Sequence, residues 1–245
     1  ASGLRFTDAH CGAATCTPSR FTLLTGLYAF RKNAAVLPGD APLLITPGSE
    51  TLQALLQKAG YQTAVVGKWH LGLGSGKPDW NRKIVPGANE TGFNYSFIIP
   101  ATPDRVPTVF VENDRVYHLD PSDPLFVSYA GPLEDAPTGL THPEMLKLKA
   151  DPSHSKTIID SISRIGYMKG GHAAWWTDEK ISTVLTDHAR SFIEANQSKP
   201  FFLYFAIHDI HVPRAPNARF VGSTTMGRRG DAMTEMDWMT GQIMN

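Results

Sequence analysis

Cysteine is scarce in this chain, with only Cys11 and Cys16 among 245 residues. Two thiols cannot build the multi-bridge framework of a small secreted scaffold, and with four residues between them they serve chemistry as readily as structure. Excess charge is missing too. Lys plus Arg number 23 and Asp plus Glu number 23, so the formal net charge is zero and no global field draws the chain to nucleic acid or an anionic membrane. Long apolar runs are absent: the longest, Phe201 to Ile207, has seven residues, whereas a hydrocarbon core needs about twenty. No membrane span is therefore expected. Internal repeats and low-complexity tracts are lacking, and 42% apolar residues exclude disorder as a description of the whole. No charged segment followed by an apolar one opens the chain at Ala1, which fits a cytosolic protein, a processed one or a piece of a longer one.

What is present has the rhythm of an α/β sheet. After residues 1–10, which hold no obvious strand or helix, Thr51 to Ala59 sets Leu52, Leu55, Leu56 and Ala59 on one helical face, and Gly60 supplies the stop. Tyr61 to Val66 reads as a short buried strand delivering Gly67, Lys68, Trp69 and His70 at its carboxyl end. The stretch from Gly72 to Pro143 is broken by Gly and Pro and predicts loops, with extended pieces at Tyr95 to Ile99 and Thr108 to Val111. Asp178 to Ala195 predicts a helix with Ile181, Val184, Leu185, His188, Phe192 and Ile193 near one stripe. Phe201 to Ile207 predicts a central strand buried on both faces, ending at His208, Asp209 and His211. Polar residues thus gather where strands end, the usual place for ligands in open α/β sheets.

In Cys16-Thr17-Pro18-Ser19-Arg20 a thiol precedes a permanent cation by four residues, with proline restricting the backbone between them. That pattern suits a nucleophile facing an anionic substrate. It also suits a small buried cysteine and a solvated helix start. A cysteine-phosphatase loop requires arginine six places after the thiol, where Thr22 stands. Zinc binding by His10, Cys11 and Cys16 lacks a second ligand cluster of recognised spacing.

Extended to Leu24-Thr25-Gly26, the segment resembles the C-x-P-S-R-x-x-x-L-T-G signature of the type I sulfatases. Gly60 to His70, with its Gly67-Lys68 pair before a histidine, is similar to the family's second signature, and His211-Val212-Pro213 resembles a third strand end. The resemblance implies an alkaline-phosphatase-like α/β fold and hydrolysis of a sulfate ester on a sulfated small molecule or saccharide. It implies that Cys16 is converted to formylglycine by a formylglycine-generating enzyme, and that the hydrated aldehyde attacks sulfur. Arg20 is then expected to stabilise the ionised hydrate and Lys68 to bind sulfate oxygens. His70 would assist sulfate elimination, and His211 would contact sulfate and protonate the leaving oxygen, with His208 a weaker second candidate. Thr102 falls where some relatives place a hydroxyl near substrate.

The family also uses calcium, so residue 16 is an expected metal ligand. The other ligands, paired aspartates after a first strand and a later Asp-Asn pair, find no match between Ala1 and Asn245. Residues 1–245 are therefore expected to be part of an N-terminal catalytic domain, lacking its first strand and its carboxyl-terminal portion, with Gly230 to Asp237 in the helix before the strand that carries Asp-Asn. Leu27 departs from the basic residue often found there, Arg31 lying downstream. The resemblance implies a periplasmic, secreted or lysosomal parent. Trp80, Tyr117, His118 and Trp175 are candidates to meet a sugar ring. A phosphonate or phosphate-ester hydrolase using the same aldehyde, or a non-catalytic sulfated-glycan binder, are the alternatives.

Overall fold

A computed structural model describes residues 3–244. Its main sheet has five strands in the order β4-β3-β2-β1-β9. These are β1 (Gln62–Lys68), β2 (Tyr95–Ile99), β3 (Val111–Glu112), β4 (Arg115–Val116) and β9 (Phe201–Ala206). Strands β2, β1 and β9 run parallel, with Val66 opposite both Phe97 and Phe205, while β3 and β4 return antiparallel. The remaining strands are short: β5 (Phe126–Ser128) pairs with β8 (Tyr167–Lys169), and β6 (Ile158–Ile159) with β7 (Ile162–Ser163).

Strand alternation sorts the core into two layers. Val65, Ile98 and Val111, with Phe202 and Tyr204, face a layer holding Trp69, Phe93, Phe21 and Leu24. Phe21 and Leu24 come from helix α1 (Cys16–Thr25). Val66, Phe97 and Ile99, with Leu203 and Phe205, face α3 (Ile181–Ala195) and α4 (Gly227–Met244) through Ile181, Leu185, Ala189 and Met239. Each fully buried aliphatic or aromatic side chain here contributes about 1.5–3 kcal/mol by leaving water. The sheet also demands glycine at position 67. Its φ is +118°, and a Cβ there would lie 2.2 Å from the Ala206 carbonyl oxygen of the adjoining strand.

Several sequence expectations meet this architecture directly. The extended piece at Tyr95 to Ile99 is β2, the predicted helix before Ala195 is α3 behind one 3₁₀ turn, and residues 230–237 lie inside α4. Strand β1 runs on through Lys68, and the extended piece expected at Thr108 to Val111 forms its strand later, at Val111–Glu112.

Two burial expectations are corrected. Helix α2 (Leu52–Lys58) turns Leu52 and Leu55 outward, 38% and 46% exposed, and buries Gln53 and its N-cap Thr51 instead. The reason is polar: Thr51 Oγ1 donates to the Thr91 carbonyl at 2.7 Å and Gln53 Nε2 to Thr91 Oγ1 at 3.0 Å, docking the helix by its hydrophilic side. Strand β9, expected to be central and covered on both faces, stands at the end of the sheet with Phe201 to Phe205 only half-buried. Among the described residues β1 is its sole strand partner.

Candidate active site

The carboxyl ends of the three parallel strands lie at one rim of the sheet, and the segments that follow them, with the first turn of α1, supply the site. Cys16 is the first residue of α1, where the helix dipole favours an anion. Arg20 follows one turn later on the same face. Gly26 ends the helix in the left-handed region, its N–H bonding the Thr22 carbonyl at 2.9 Å.

Arg20 fastens α1 to the sheet. One of its terminal nitrogens donates to the Lys68 carbonyl at 2.6 Å and to the Tyr204 hydroxyl at 3.2 Å, joining α1, β1 and β9. Its Nε is buried without a protein partner. With Ser19, Leu23 and Tyr204, Cys16 and Arg20 line an open cavity of about 300 Å³.

Lys68, the last residue of β1, is only 3% exposed. Burial, aided by the Arg20 charge and opposed by Cys16 and Asp104, brings its pKa down to about 8. A buried cation with a depressed pKa is costly to the fold and ready for an anion.

His70 is held in the left-handed region at φ +54°, a conformation that costs a non-glycine residue about 1–2 kcal/mol. Three contacts impose it. Its N–H donates to the Pro100 carbonyl at 3.1 Å, its carbonyl accepts from Thr17 Oγ1 at 2.8 Å, and its ring Nε2 meets the Leu37 carbonyl at 2.8 Å. A carbonyl only accepts, so Nε2 carries the proton. In the neutral ring Nδ1 is therefore the basic nitrogen, and it is buried without a protein partner.

His211 follows β9. Its Nδ1 donates to the Val212 carbonyl at 2.7 Å, which leaves Nε2 for the site. Hydrogen bonding from His211, then the nearby His70 side chain and the Lys68 charge, overcomes partial burial and lowers the Cys16 thiol to about 4. Cys16, Lys68, His70 and His211 thus form one cradle for negative charge.

Behind His211 sits a carboxylate that the motifs do not reveal. Asp104 is 3% exposed, with Oδ1 4.0 Å from His211 Nδ1. Although burial raises its pKa, the Thr102 hydroxyl, the His211 and Arg105 charges and His154 together hold it below the usual carboxylate range. His154 Nε2 bonds Asp104 Oδ2 at 2.8 Å and its Nδ1 bonds Asp151 Oδ2 at 2.8 Å. Arg164, fully buried against Asp178 at 2.5 Å, also donates to the Pro103 carbonyl at 2.7 Å and so locks the segment that carries Asp104. The short polar run Thr102-Pro103-Asp104-Arg105 after β2 was the one available sequence signal for this group.

Other expected residues lie elsewhere. Thr102 is completely buried and gives its hydroxyl to Asp104, beneath the site. His208 is buried beside Asp209, Asp178 and Glu235 on the inner side of the loop, where desolvation lowers its pKa. Trp80 is part of the core, and Tyr117 packs on Phe97 and His188. Exposed His118 stacks on Tyr117 at 3.8 Å, and Trp175 borders a separate cavity with Asp123, Phe126 and His172. Arg31 stands over the Phe30 ring. Among the described residues no three His, Cys, Asp or Glu side chains converge as metal ligands, so the residues present do not make a calcium site by themselves.

A mixed α/β sheet bearing a cysteine at a helix start, a buried lysine and two histidines gathers an anion site, and comparison identifies the family of the chain. The sulfatase family profile matches residues 1–245, and the chain belongs to that family. It is 50% identical over 245 residues to an N-acetylgalactosamine-6-O-sulfatase of Bacteroides thetaiotaomicron, covering 99% of this chain and 48% of that protein. It is 30% identical over 275 residues to human arylsulfatase H, covering 99% and 47%. A solved structure named BT33336S-sulf, from work on the metabolism of multiple glycosaminoglycans by Bacteroides thetaiotaomicron, superposes with a TM-score of 0.96 at 50% identity, covering 99% of this chain and 51% of that one. The chain thus spans about half the length of the curated relatives it matches.

Proposed function

We propose that this chain supplies the nucleophile and the sulfate cradle of a longer sulfatase that hydrolyses a sulfate ester on an acetamido sugar. The observation that carries the reading is the convergence of His211, His70 and Lys68 on Cys16, strong enough to hold a thiol at about 4. A site built to stabilise negative charge at residue 16 suits a nucleophilic oxygen beside a sulfate. The identity to an N-acetylgalactosamine-6-O-sulfatase supports a 6-sulfated sugar as substrate.

In this reading a formylglycine-generating enzyme converts Cys16, and the formylglycine, when present, supplies the hydroxyl that attacks sulfur. The chain's own residues do the rest. Lys68 binds sulfate oxygens in its protonated form, and the remaining Arg20 nitrogens add permanent charge near residue 16. His70, its Nε2–H committed to the Leu37 carbonyl, accepts a proton at Nδ1. His211, its Nδ1–H committed to the Val212 carbonyl, acts in its imidazolium form, giving the Nε2 proton to the departing sugar oxygen and returning to the neutral ring. The calcium expected from the family would be held largely by residues outside this chain. The exposed Leu52 and Leu55 and the half-buried β9 support residues 1–245 as part of a larger catalytic domain that covers them.

The test is turnover by the complete protein on 6-sulfated N-acetylgalactosamine, an aryl sulfate and a matched aryl phosphate, with mass analysis of the peptide holding residue 16. Sulfate release together with an aldehyde at that residue is expected. Preference for the phosphate ester, or a quantitatively unmodified thiol in the native host, would overturn the reading.

A further inference from the structure

Beside the cradle, on the far side of Asp104, lies a second cavity of about 280 Å³ that the proposed chemistry leaves unused. Its walls include Asp104 and His154, the residues Val212 and Pro213 that directly follow His211, and four cations, Lys149, Arg214, Arg228 and Arg229. These cations come from three separate parts of the chain: a loop, the segment after β9 and the first turn of α4.

The charges in this wall do not balance. Both lining carboxylates are already engaged, Asp104 by Thr102, Arg105 and His154, and Asp151 by Ser153 and His154. Among the described residues none of the four cations makes an ion pair with a carboxylate, and Arg214 only donates its Nε to the Ile210 carbonyl at 3.2 Å. Arg228 and Arg229 also sit at the end of α4 where the helix dipole disfavours positive charge. Clustered like charges around a concavity lower stability and raise the local concentration of anions.

The position of the cavity next to the His211 segment suggests which anion. On the proposed reading, His211 protonates the oxygen that links sulfate to its sugar, and the cavity is lined by Val212 and Pro213, which directly follow His211 in the chain. The cavity therefore adjoins the segment that would meet the leaving sugar, within reach of the next sugar of a saccharide. We propose that Lys149, Arg214, Arg228 and Arg229 form a second anion subsite, receiving the acidic group, carboxylate or sulfate, of the sugar adjoining the one that loses its sulfate. This rests on the sulfatase reading and narrows its substrate to an acidic disaccharide unit.

The test measures affinity calorimetrically in the complete protein carrying Cys16→Ala, which prevents turnover, and measures kcat/KM in the unsubstituted protein. The probes are 6-sulfated N-acetylgalactosamine alone and the same sugar linked to a neutral hexose, to a uronate, or to a sulfated hexose. The uronate-linked or the sulfate-linked disaccharide should bind about tenfold more tightly than the neutral one, with the advantage shrinking at high salt. Whichever acid confers that gain identifies the group recognised. Added Arg228→Ala and Arg229→Ala should erase the advantage while leaving the monosaccharide's affinity within about twofold. Lys149→Glu, on a different element, should reduce the advantage too and guards against a folding defect in α4. Equal affinity for acidic and neutral disaccharides, or an equal loss on all probes in the variants, would overturn the subsite. Failure of the sulfatase reading looks different: no sulfate is released from any probe, whatever the affinities.

Discussion

The two flanks of the sheet are built on opposite terms. At the carboxyl rim around β1 and β2 the polar groups are buried: Thr17, Lys68, His70, Thr102 and Asp104 are each no more than 3% exposed, and a left-handed histidine is held by three separate contacts. Around α1, α2 and β9 the reverse holds, with Leu23, Leu27, Leu52 and Leu55 open to solvent and an apolar strand half-covered. The rim tolerates cost in order to fix geometry, whereas the flank leaves apolar surface in water, a large patch of which usually marks an interaction face. The contrast separates residues whose loss should stop chemistry from residues whose loss should matter only once something covers them.

The largest effect tests the rim. Cys16→Ala in the complete protein should reduce turnover by at least about a thousandfold. The substitution should leave the fold intact, as circular dichroism and thermal melting would show. Retained activity would mean that the cradle serves another nucleophile.

On the proposed reading Lys68→Ala should lower kcat by about a hundredfold or more, because its charge would meet the sulfate as negative charge develops. Its protonation also sets a pH limit. Lys68 is charged below its pKa of about 8 and loses that charge as pH rises through it, so sulfate binding and turnover should decline on the alkaline side. Lys68→Arg, however much slower, should remove that limb. A persistent limb would assign it to another group.

His211→Ala should harm alkyl sulfates about a hundredfold more than activated aryl sulfates, whose leaving oxygens need little protonation. Equal losses on both would remove the proton-donor role.

Gly67→Ala probes the place where rim and flank meet, between β1 and β9. Forcing a Cβ against the Ala206 carbonyl at a positive φ should cost about 2–4 kcal/mol of stability, read by urea unfolding.

The smallest effect belongs to the flank. Leu52→Ser with Leu55→Ser should change the stability of the isolated 245-residue chain by less than about 0.5 kcal/mol per site. In the complete protein the same pair should cost about 2 kcal/mol or more if further sequence covers this face. Equal effects in both would show that the flank stays in water.

Much of this was legible before the structure. Local alternation and turn residues located β1, β2, α3 and the apolar run of β9, and two linear segments placed Cys16, Arg20, Lys68 and His70 in the correct order. Periodicity failed at α2 because it reports which side of a helix is apolar and carries no information about which side the chain packs. There the pairing of Thr51 and Gln53 with Thr91, forty residues away in sequence, decided the orientation. The Asp104 network stayed hidden for a related reason. Asp104, His154 and Arg164 are separated by fifty or more positions or by a hairpin, and no linear spacing announces that they meet. Thr102 was read by position alone, which placed it near the site but not beneath it.

The strongly acidic thiol has a practical corollary. With a pKa of about 4, residue 16 left as cysteine would be ionised by about a thousand to one at pH 7. At weakly acidic pH, where ordinary thiols stay protonated, a haloacetamide would then alkylate Cys16 ahead of the solvent-exposed Cys11. If residue 16 is converted as proposed, it offers an aldehyde in its place, which takes a hydrazide and ignores the alkylating reagent. Two labels of different mass would therefore read, on a single peptide, what fraction of any preparation has matured.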